Sequence, residues 1–448
     1  MRRLVLSLIT LVPFISLAQP RPLHLQEAMD YAVKNNMVAR NARLDIQIQE
    51  ARNAEITGLS LPQINGEAKY TQFTDLPAQF FPGRFAEAFT GKPVKNADVY
   101  QPVRMSPVYG TSANLTGSQL LFDGSVLVAL RARNTVLKLT EQSARFTEEE
   151  IRYNVQKAYH AVAISQHQFV IFRASLANAR GILNDLIALR NAGFAEKIEV
   201  DRVQVQVNNL VTDSIRVNSL LDLSERALKF AMGMDLNEQL VLVDTVIETN
   251  VAFAEAMLND EVNYLNRTDY NLLLTQLQLN KYDLKRHRSS YLPSLALFGS
   301  AGYNYAADNF THLYQNEYVF SSLWGVTLNV PVFDGFQRRN RVVQAKLNVL
   351  KTENNIENME LGIDFQAGQA RTTLKNSLMA MDNQRRNMEL GASVLDLARK
   401  KYKAGVGSNI EVTQAQTELL QSQTNYFLAL LEVFNAHADL KKALGEFK

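Results

Sequence analysis

The chain has 448 residues, and its 47 lysine and arginine residues nearly balance its 45 aspartate and glutamate residues, so the formal net charge is only +2. Without a basic surplus or an acidic tail, the composition argues against nucleic acid as a partner. The sequence contains no cysteine, which excludes disulfide bonds, thiol catalysis and a lipid-modified N-terminal cysteine.

The N-terminal segment has the pattern of a secretory signal peptide. Arg2 and Arg3 precede an apolar run from Leu4 to Leu17, and Ser16-Leu17-Ala18 places small residues at the two positions that a signal peptidase reads. We therefore expect residues 1–18 to be removed after export. The remaining sequence has no run of eighteen apolar residues, which predicts no membrane-spanning helix. The exported protein is then either soluble outside the cytoplasm or a β-barrel.

A helix is predicted over about residues 24–58, and an alternating segment follows it. Ile64 to Tyr70 places apolar or small side chains on one face and polar side chains on the other. Three further segments alternate in a comparable way, the first of them more weakly: 113–121, 295–303 and 324–332. Strands of about ten residues, at roughly 3.3 Å per residue and strongly tilted, match a bilayer core of about 30 Å. Ordinary hairpins of a soluble protein remain the alternative by pattern alone.

The segment between the first two strands, Phe73 to Met105, contains four prolines and several aromatic residues. This composition predicts a long loop.

Two very long helices are predicted, because residues 124–190 and 335–403 contain no proline and repeat apolar residues at helical spacing. At 1.5 Å per residue each helix could reach about 100 Å. Asp123 and Asp334 stand at the N-cap positions, beside glycines that let the chain turn from strand to helix. Shorter helices are predicted over about 198–232, 262–290 and 410–445. A soluble bundle or a spectrin-like spacer would have similar helices.

The chain contains the same order of elements twice. Leu61-Pro62 recurs as Leu292-Pro293, Phe122-Asp123-Gly124 recurs as Phe333-Asp334-Gly335, and Ala192-Gly193 recurs as Ala404-Gly405. We expect a first repeat over 19–245, with a hairpin at about 62–121 and a helix tip at about 191–197. The second repeat covers 246–448, with a hairpin at about 293–333 and a tip at about 403–409.

One chain has only four strands, which is too few to close a barrel. Open sheet edges are not tolerated in lipid, so several chains must share one barrel. Two chains would supply eight strands and three would supply twelve.

These motifs, in this order and twice over, resemble the TolC-type outer-membrane efflux family across the whole mature chain. Leu25-Gln26-Glu27-Ala28 followed by Asn35-Asn36, and the tip Tyr402-Lys403-Ala404-Gly405, are similar to its recurring motifs. The resemblance implies a homotrimer, mainly α-helical, with a shared 12-stranded β-barrel in the outer membrane and a long α-helical barrel in the periplasm. It also implies a periplasmic adaptor and an inner-membrane pump as partners, and outer-membrane lipid around the barrel.

The resemblance further implies a periplasmic gate. Acidic residues one turn beyond the second tip constrict the closed pore in the family, and the first such position falls on Glu411. The second falls on the uncharged Gln414, and a basic tip residue of some members falls on Gly407. Glu199 is the equivalent of Glu411 in the first repeat. An acidic residue in the first turn of a helix is also favoured by the helix dipole alone.

Two other sets of residues are candidate sites. The helix tips are expected to touch the adaptor. Their glycines are also explained by a tight reversal between antiparallel helices. The tip residues are Ala192, Gly193, Phe194, Ala195, Ala404, Gly405, Val406, Gly407 and Ser408. The barrel–helix junctions are Phe122, Asp123 and Gly124 in the first repeat and Phe333, Asp334 and Gly335 in the second.

The sequence contains no serine elbow, phosphate loop or zinc helix, so we expect neither catalysis nor a cofactor. Only His160 and His167 share a helix face, and solvation on a helix surface explains them more simply than a metal site. The resemblance predicts an outer-membrane channel subunit of a tripartite efflux or type I secretion system in a Gram-negative bacterium. The alternative is a soluble periplasmic coiled-coil scaffold.

Overall fold

The computed structural model describes residues 22–91, 93, 98–243, 251–311 and 318–447, so the predicted signal peptide lies outside the described residues. The helices in this part of the chain are α1 Leu25–Asn35, α2 Met37–Gly58, α3 Gly83–Thr90, α4 Gly124–Asn191, α5 Lys197–Met232, α6 Val251–Ala256, α7 Thr268–Ser289, α8 Gln337–Lys403 and α9 Asn409–Leu444. The strands are β1 Pro22–Leu23, β2 Gln63–Gln72, β3 Ala78–Pro82, β4 Tyr100–Arg104, β5 Tyr109–Phe122, β6 Val241–Leu242, β7 Ser294–Ala307 and β8 Val319–Asn329.

The described residues form two compact units. One takes in the residues up to Gln47, Leu139–Leu274 and Glu353 onward, and the other takes in Ile48–Lys138 and Thr275–Thr352. Helices α4 and α8 have 68 and 67 residues, as their proline-free sequences predict, and α5 and α9 have 36 each. Among the helices that the structure describes, none has the length and apolar character needed to cross a membrane.

The predicted continuous helix over 24–58 is wrong at Asn36, where the backbone is extended between α1 and α2. The side chain of Asn36 donates to the carbonyl of Ala231 at 2.8 Å and accepts from the amide of Val38 at 2.8 Å. Gly233, which ends α5, approaches so closely that a Cβ there would lie 2.7 Å from Cα of Asn36. The break therefore results from packing against a distant part of the chain.

The same arrangement recurs in the second repeat. The helix predicted over 262–290 begins only at Thr268, and a 3₁₀ turn over Tyr264–Asn266 precedes it. A Cβ on Gly445, which ends α9, would lie 2.8 Å from the carbonyl carbon of Asn266. The return helices α5 and α9 thus each end in a left-handed glycine. Gly233 packs against Asn36, between α1 and α2, and Gly445 packs against Asn266, just before α7.

The core of the helical unit consists of several apolar clusters. One joins α1, α4 and α5 through Ala28, Tyr159, Leu228 and Met232. Another joins α8 and α9 and includes Leu374, Leu378, Leu430, Val433, Phe434 and Leu440. Nearer the helix tips, smaller clusters pack α4 against α5 and α8 against α9. The short strands β1 and β6 pair in parallel beside the first cluster.

The second unit contains a four-stranded antiparallel sheet in the order β2-β5-β7-β8. The strand predicted most weakly, 113–121, belongs to β5, which is 14 residues long and lies in the centre of the sheet. Strand β8 ends at Asn329, before the predicted Val330 to Val332. Within this sheet, β2 and β8 are edge strands that each pair on one side only.

The predicted loop over 73–105 is wrong in part, because it contains β3, α3 and β4. Strands β3 and β4 pair antiparallel, with Phe80 opposite Pro102. Both strands lie in a two-stranded sheet, where a proline is tolerated because an edge strand need not donate on its outer side. Pro82 precedes α3, and the buried Ala86 and Val103 give the segment a small core.

Candidate functional site at the strand–helix junctions and helix tips

The two strand–helix junctions use their Asp-Gly pairs differently. The Asp123 carboxylate accepts from the amides of Ser125 at 2.7 Å and Val126 at 3.2 Å, and so caps α4. Gly124 is already helical, and a Cβ there would lie 3.0 Å from the carbonyl oxygen of Ser289. Close packing, rather than backbone freedom, explains this glycine.

In the second junction the turn is wider. Gly335 and Phe336 both have left-handed backbones, with φ of 64° and 65°, and α8 begins one residue later at Gln337. The Asp334 carboxylate accepts from the amide of Arg338 at 2.9 Å and pairs with its guanidinium at 3.3 Å. Phe333 and Phe336 contact each other edge to face with ring centroids 5.5 Å apart, and both are largely exposed.

The first helix tip is closed by backbone hydrogen bonds around Gly193. Its φ is 81°, and the amide of Phe194 donates to the carbonyl of Leu189 at 2.8 Å. This pattern satisfies carbonyls at the end of α4 that would otherwise lack partners. Ala192 is exposed, Ala195 is half-buried against the local core, and Phe194 is 82% exposed.

The second tip repeats this geometry. Gly405 has φ of 75°, and the amide of Val406 donates to the carbonyl of Lys401 at 3.1 Å. Ala404 and Ser408 are exposed, and Val406, at the position equivalent to Phe194, is 78% exposed. Each tip therefore presents one large apolar side chain to solvent directly after its left-handed glycine.

Gly407 has the structural role that the sequence offers for the tip glycines, and close packing is the reason. A Cβ at this position would lie 2.9 Å from Cβ of Lys401 and 3.0 Å from the amide nitrogen of Tyr402. Any larger residue would require the loop to move away from the end of α8.

The candidate gate residues lie in the first turns of the return helices. The Ser408 hydroxyl accepts from the amide of Glu411 at 3.3 Å, and the Glu411 side chain is exposed. In the first repeat, the Glu199 carboxylate instead reaches back to the amide of Glu196 at 3.3 Å. Gln414 is exposed and donates to the Glu418 carboxylate at 3.0 Å. Both acidic residues are thus also suited to the positive end of a helix dipole.

Glu199 and Gln414 line one crevice between the starts of α5 and α9, together with Arg202, Asn409, Ile410 and Thr413. Glu411 is not among its lining residues. Burial raises the pKa of the Tyr402 hydroxyl, and the nearby negative charges of Glu199 and Asp185 raise it further. The crevice itself is lined from both halves of the chain, by Glu199 and Arg202 of α5 and by Asn409, Ile410, Thr413 and Gln414 of α9.

In the sequence, Tyr402 belongs only to the tip motif Tyr402-Lys403-Ala404-Gly405, and nothing there indicates that Glu199 and Asp185 act on its hydroxyl. Glu199 and Tyr402 are more than two hundred positions apart, and no local pattern relates them. His160 and His167 stack on Phe434 and Phe427, with ring centroids 4.3 Å and 5.7 Å apart. Within the described residues, no group of three or more histidine, cysteine, aspartate or glutamate residues is placed to hold a metal ion.

Comparison with known proteins relates this chain to outer-membrane channels. Residues 273–446 match the family model described as outer membrane efflux protein. The chain is 22% identical over 427 residues to the probable efflux pump outer membrane protein SepC of Pseudomonas putida, covering 94% of this chain and 83% of that protein. It is also 22% identical over 342 residues to the outer membrane protein TolC of Vibrio cholerae, covering 75% of this chain and 76% of that protein.

Solved structures of the same type share the fold. The structure of CusC superposes with a TM-score of 0.72 at 16% identity, covering 96% of this chain and 95% of that one. The open-state MtrE outer membrane channel of Neisseria gonorrhoeae superposes with a TM-score of 0.67 at 18% identity, covering 94% of this chain and 88% of that one.

Proposed function

We propose that this chain is the outer-membrane channel subunit of a tripartite efflux or type I secretion system, because residues 273–446 match the outer membrane efflux protein family model and the fold is TolC-like. In this role the protein is a passive duct. Substrates pass from an inner-membrane pump and its periplasmic adaptor to the cell exterior, and the chain itself catalyses no reaction.

The observation that carries this proposal is the chemistry of the four-stranded sheet. One face presents exposed apolar side chains: Ile64, Leu115, Leu297, Trp324, Val326 and Leu328. Its registers place those residues on the same side of the sheet. The opposite face is mainly polar and carries Asn65, Glu67, Lys69, Ser112, Asn114 and Asn304, with Phe298 and Leu323 as large apolar exceptions. An apolar outer face with a polar inner face is the pattern of a barrel strand in lipid around an aqueous lumen.

The unpaired edges of β2 and β8 support assembly with other copies. A sheet in lipid leaves no open edge, since each unpaired backbone group would cost several kcal/mol. Strands β8 and β2 run in opposite directions within the sheet, so β8 of one copy can pair antiparallel with β2 of the next. Three copies give the twelve strands that the family resemblance implies.

The helix tips are the proposed contact with the adaptor. Phe194 and Val406 are the most exposed large side chains of the two tips, and they occupy equivalent positions in the two repeats. Such isolated apolar residues at the end of a helical hairpin suit burial against a partner. Glu411 is the proposed gate residue, because its side chain is exposed at the same end of the helices, and Gln414 and Glu199 are the other residues of the proposed gate.

Extraction tests the channel against the scaffold alternative. The channel requires detergent for release from outer membranes and runs on a gel as a trimer that dissociates on heating. A scaffold protein is released by osmotic shock and needs no detergent. Recovery of the full chain in the osmotic-shock fraction, with no oligomer in membranes, would refute the proposed function.

Site-specific crosslinking tests the adaptor contact. The absence of native cysteine allows single cysteines to be introduced at Ala195 and Ser408 on the tips. Both are expected to capture the adaptor, whereas a cysteine at the mid-helix control position Ala161 is not. Capture at Ala161 without capture at either tip would place the adaptor elsewhere.

A further inference from the structure

The apolar face of the sheet contains a furrow that no part of the proposed duct function requires. One row of directly paired residues runs Ile64, Gly117, Gly299 and Trp324, one from each strand. The two central strands therefore contribute no side chain, while the two outer positions carry large ones that are 74% and 80% exposed. The result is a depression across the sheet, closed at its ends by Ile64 and Trp324.

The walls of the furrow come from the neighbouring rows on the same face. Gln119, Leu297 and Val326 form the row on the side of the helices, and Leu115 and Ala301 stand on the other side. Same-face residues in one strand are about 6.7 Å apart, so the two walls are about 13 Å apart at the backbone. The three interstrand spacings give the furrow a length of about 14 Å. No charged residue lines it.

Backbone geometry does not explain Gly117. Its φ is not positive, and a Cβ built on it would meet nothing closer than the carbonyl oxygen of Gln63, at 4.0 Å. Gly299 has less room, with Leu323 O at 3.3 Å from the corresponding position. Since glycine weakens a strand interior, a glycine in such open surroundings indicates that the space itself is used.

The position of the furrow along the strands indicates which leaflet of the membrane it faces. Gly117 lies five residues before the end of β5, where the chain enters α4, and Gly299 lies five residues after the start of β7. The opposite ends of the strands carry the aromatic pairs Tyr303–Phe320 and Tyr305–Tyr318, with centroids 5.2 Å and 5.5 Å apart. Aromatic residues of this kind mark a membrane interface. The furrow is therefore in the half of the sheet nearer the helices.

We propose that the furrow is a binding site for one acyl chain of a phospholipid from the periplasmic leaflet of the outer membrane. This inference rests on the proposed function, which places the helices in the periplasm. The periplasmic leaflet consists of phospholipid, whereas lipopolysaccharide occupies the external leaflet. An apolar, uncharged groove open along a lipid-facing sheet fits a hydrocarbon chain, and the indole of Trp324 closes it at one end.

Trp324 is the only tryptophan in the chain, so its fluorescence reports directly on the furrow. The full-length trimer in a large excess of detergent is titrated with phosphatidylethanolamine brominated on its acyl chains, which quench tryptophan on contact. We expect saturable quenching at about one lipid per chain. Gly117→Leu, which fills the floor, should raise the lipid concentration for half-maximal quenching at least about threefold.

Gly110→Leu is the matched control, because Gly110 lies on the same strand but on the polar face, opposite Thr71 and Ala306. It should leave quenching unchanged. Gly117→Ala gives a milder second variant, since a Cβ fits there without a clash, and heat-sensitive trimers on a gel verify assembly of each protein. Unbrominated phospholipid should displace the brominated lipid.

The outcomes separate the two proposals. A detergent-extracted trimer whose quenching does not saturate, or is equal in wild type and Gly117→Leu, overturns the furrow site and leaves the channel function intact. Displacement by lipopolysaccharide but not by phospholipid also overturns it. A protein that is released without detergent and shows no quenching contradicts both proposals.

Discussion

Adjacent residues of β8 allow a direct test of which face of the sheet meets lipid. Val326 lies on the apolar face and is 53% exposed, while Thr327 points to the polar face. Arginine at Val326 would place a charge against hydrocarbon, and arginine at Thr327 would place the same charge in an aqueous lumen. The two arginines lie on the same strand at nearly the same depth, so the difference in stability between the variants reports the environment of each face.

The structure sets the expected magnitude. Val326 is three residues from the helix-side end of β8 at Asn329, which is about 8 Å above that end for a strand tilted by about 40°. Arginine on the lipid face costs about 2–4 kcal/mol at the midplane of an apolar band about 25 Å tall, and about 0–1 kcal/mol at its edges. For Val326→Arg we expect about 2 kcal/mol per chain, or about a thirtyfold change in the folding equilibrium.

The assay is urea-induced unfolding of the protein reconstituted in phospholipid vesicles, together with the temperature at which the oligomer dissociates on a gel. Val326→Arg should unfold at lower urea and dissociate at lower temperature than wild type. Thr327→Arg should stay within about 1 kcal/mol of wild type. Val326→Leu serves as a control for the size change. Equal effects of the two arginines, or a larger effect at Thr327, would refute the assignment of the faces.

Four further predictions concern the helical part of the chain. Glu411→Ala should reduce the cation preference of trimers in planar bilayers and their block by divalent ions from the periplasmic side, and unchanged selectivity and block would leave Glu411 as a helix-dipole residue only. Gly407→Ala should loosen the second tip, because the added Cβ would lie 2.9 Å from Cβ of Lys401, and the tip should then be cleaved faster by protease. Gly181→Ala is the control, since a Cβ there meets nothing within 4 Å, and equal cleavage rates of the two variants would contradict the close-packing explanation. Asp123→Ala should remove the cap of α4 and cost about 1 kcal/mol, measured by thermal unfolding, whereas Asp123→Asn should retain most of it. Burial raises the pKa of the Glu149 carboxyl, against the hydrogen bond from Thr268 and the charge of Arg145. A raised folded-state pKa gives stability that is complete below the ordinary value and is lost as pH rises through the folded value. Glu149→Gln should therefore gain stability relative to wild type as pH rises from the ordinary pKa of the carboxyl through its raised folded value, and parallel profiles of unfolding free energy against pH would contradict this.

The positions of the principal helices and strands followed from local sequence. The proline-free stretches that became α4 and α8 are determined by apolar residues at helical spacing, and the N-cap at Asp123 depends on residues within one turn. Alternation over Ile64 to Tyr70 located β2 for the same reason, since neighbours in sequence fix which face a side chain occupies.

The errors occurred where distant residues decide the local conformation. Asn36 interrupts a helical pattern because it bonds to the carbonyl of Ala231 and meets Gly233. The four prolines between Phe73 and Met105 predict a loop. The segment instead forms β3, α3 and β4, because β3 pairs with β4, which is distant in sequence. Glu199 and Gln414 line one crevice only because α5 and α9 start close together.

The sequence alone determined the type and approximate limits of the long helices and of the four strands of the main sheet, because these depend on interactions between residues a few positions apart. Only the tertiary structure decided that Gly117 and Gly299 stand side by side between Ile64 and Trp324. Strand order and register set that row, and a shift of one residue in either pairing would move a glycine to the other face. Register is fixed by the whole sheet together, so no single segment of sequence contains it.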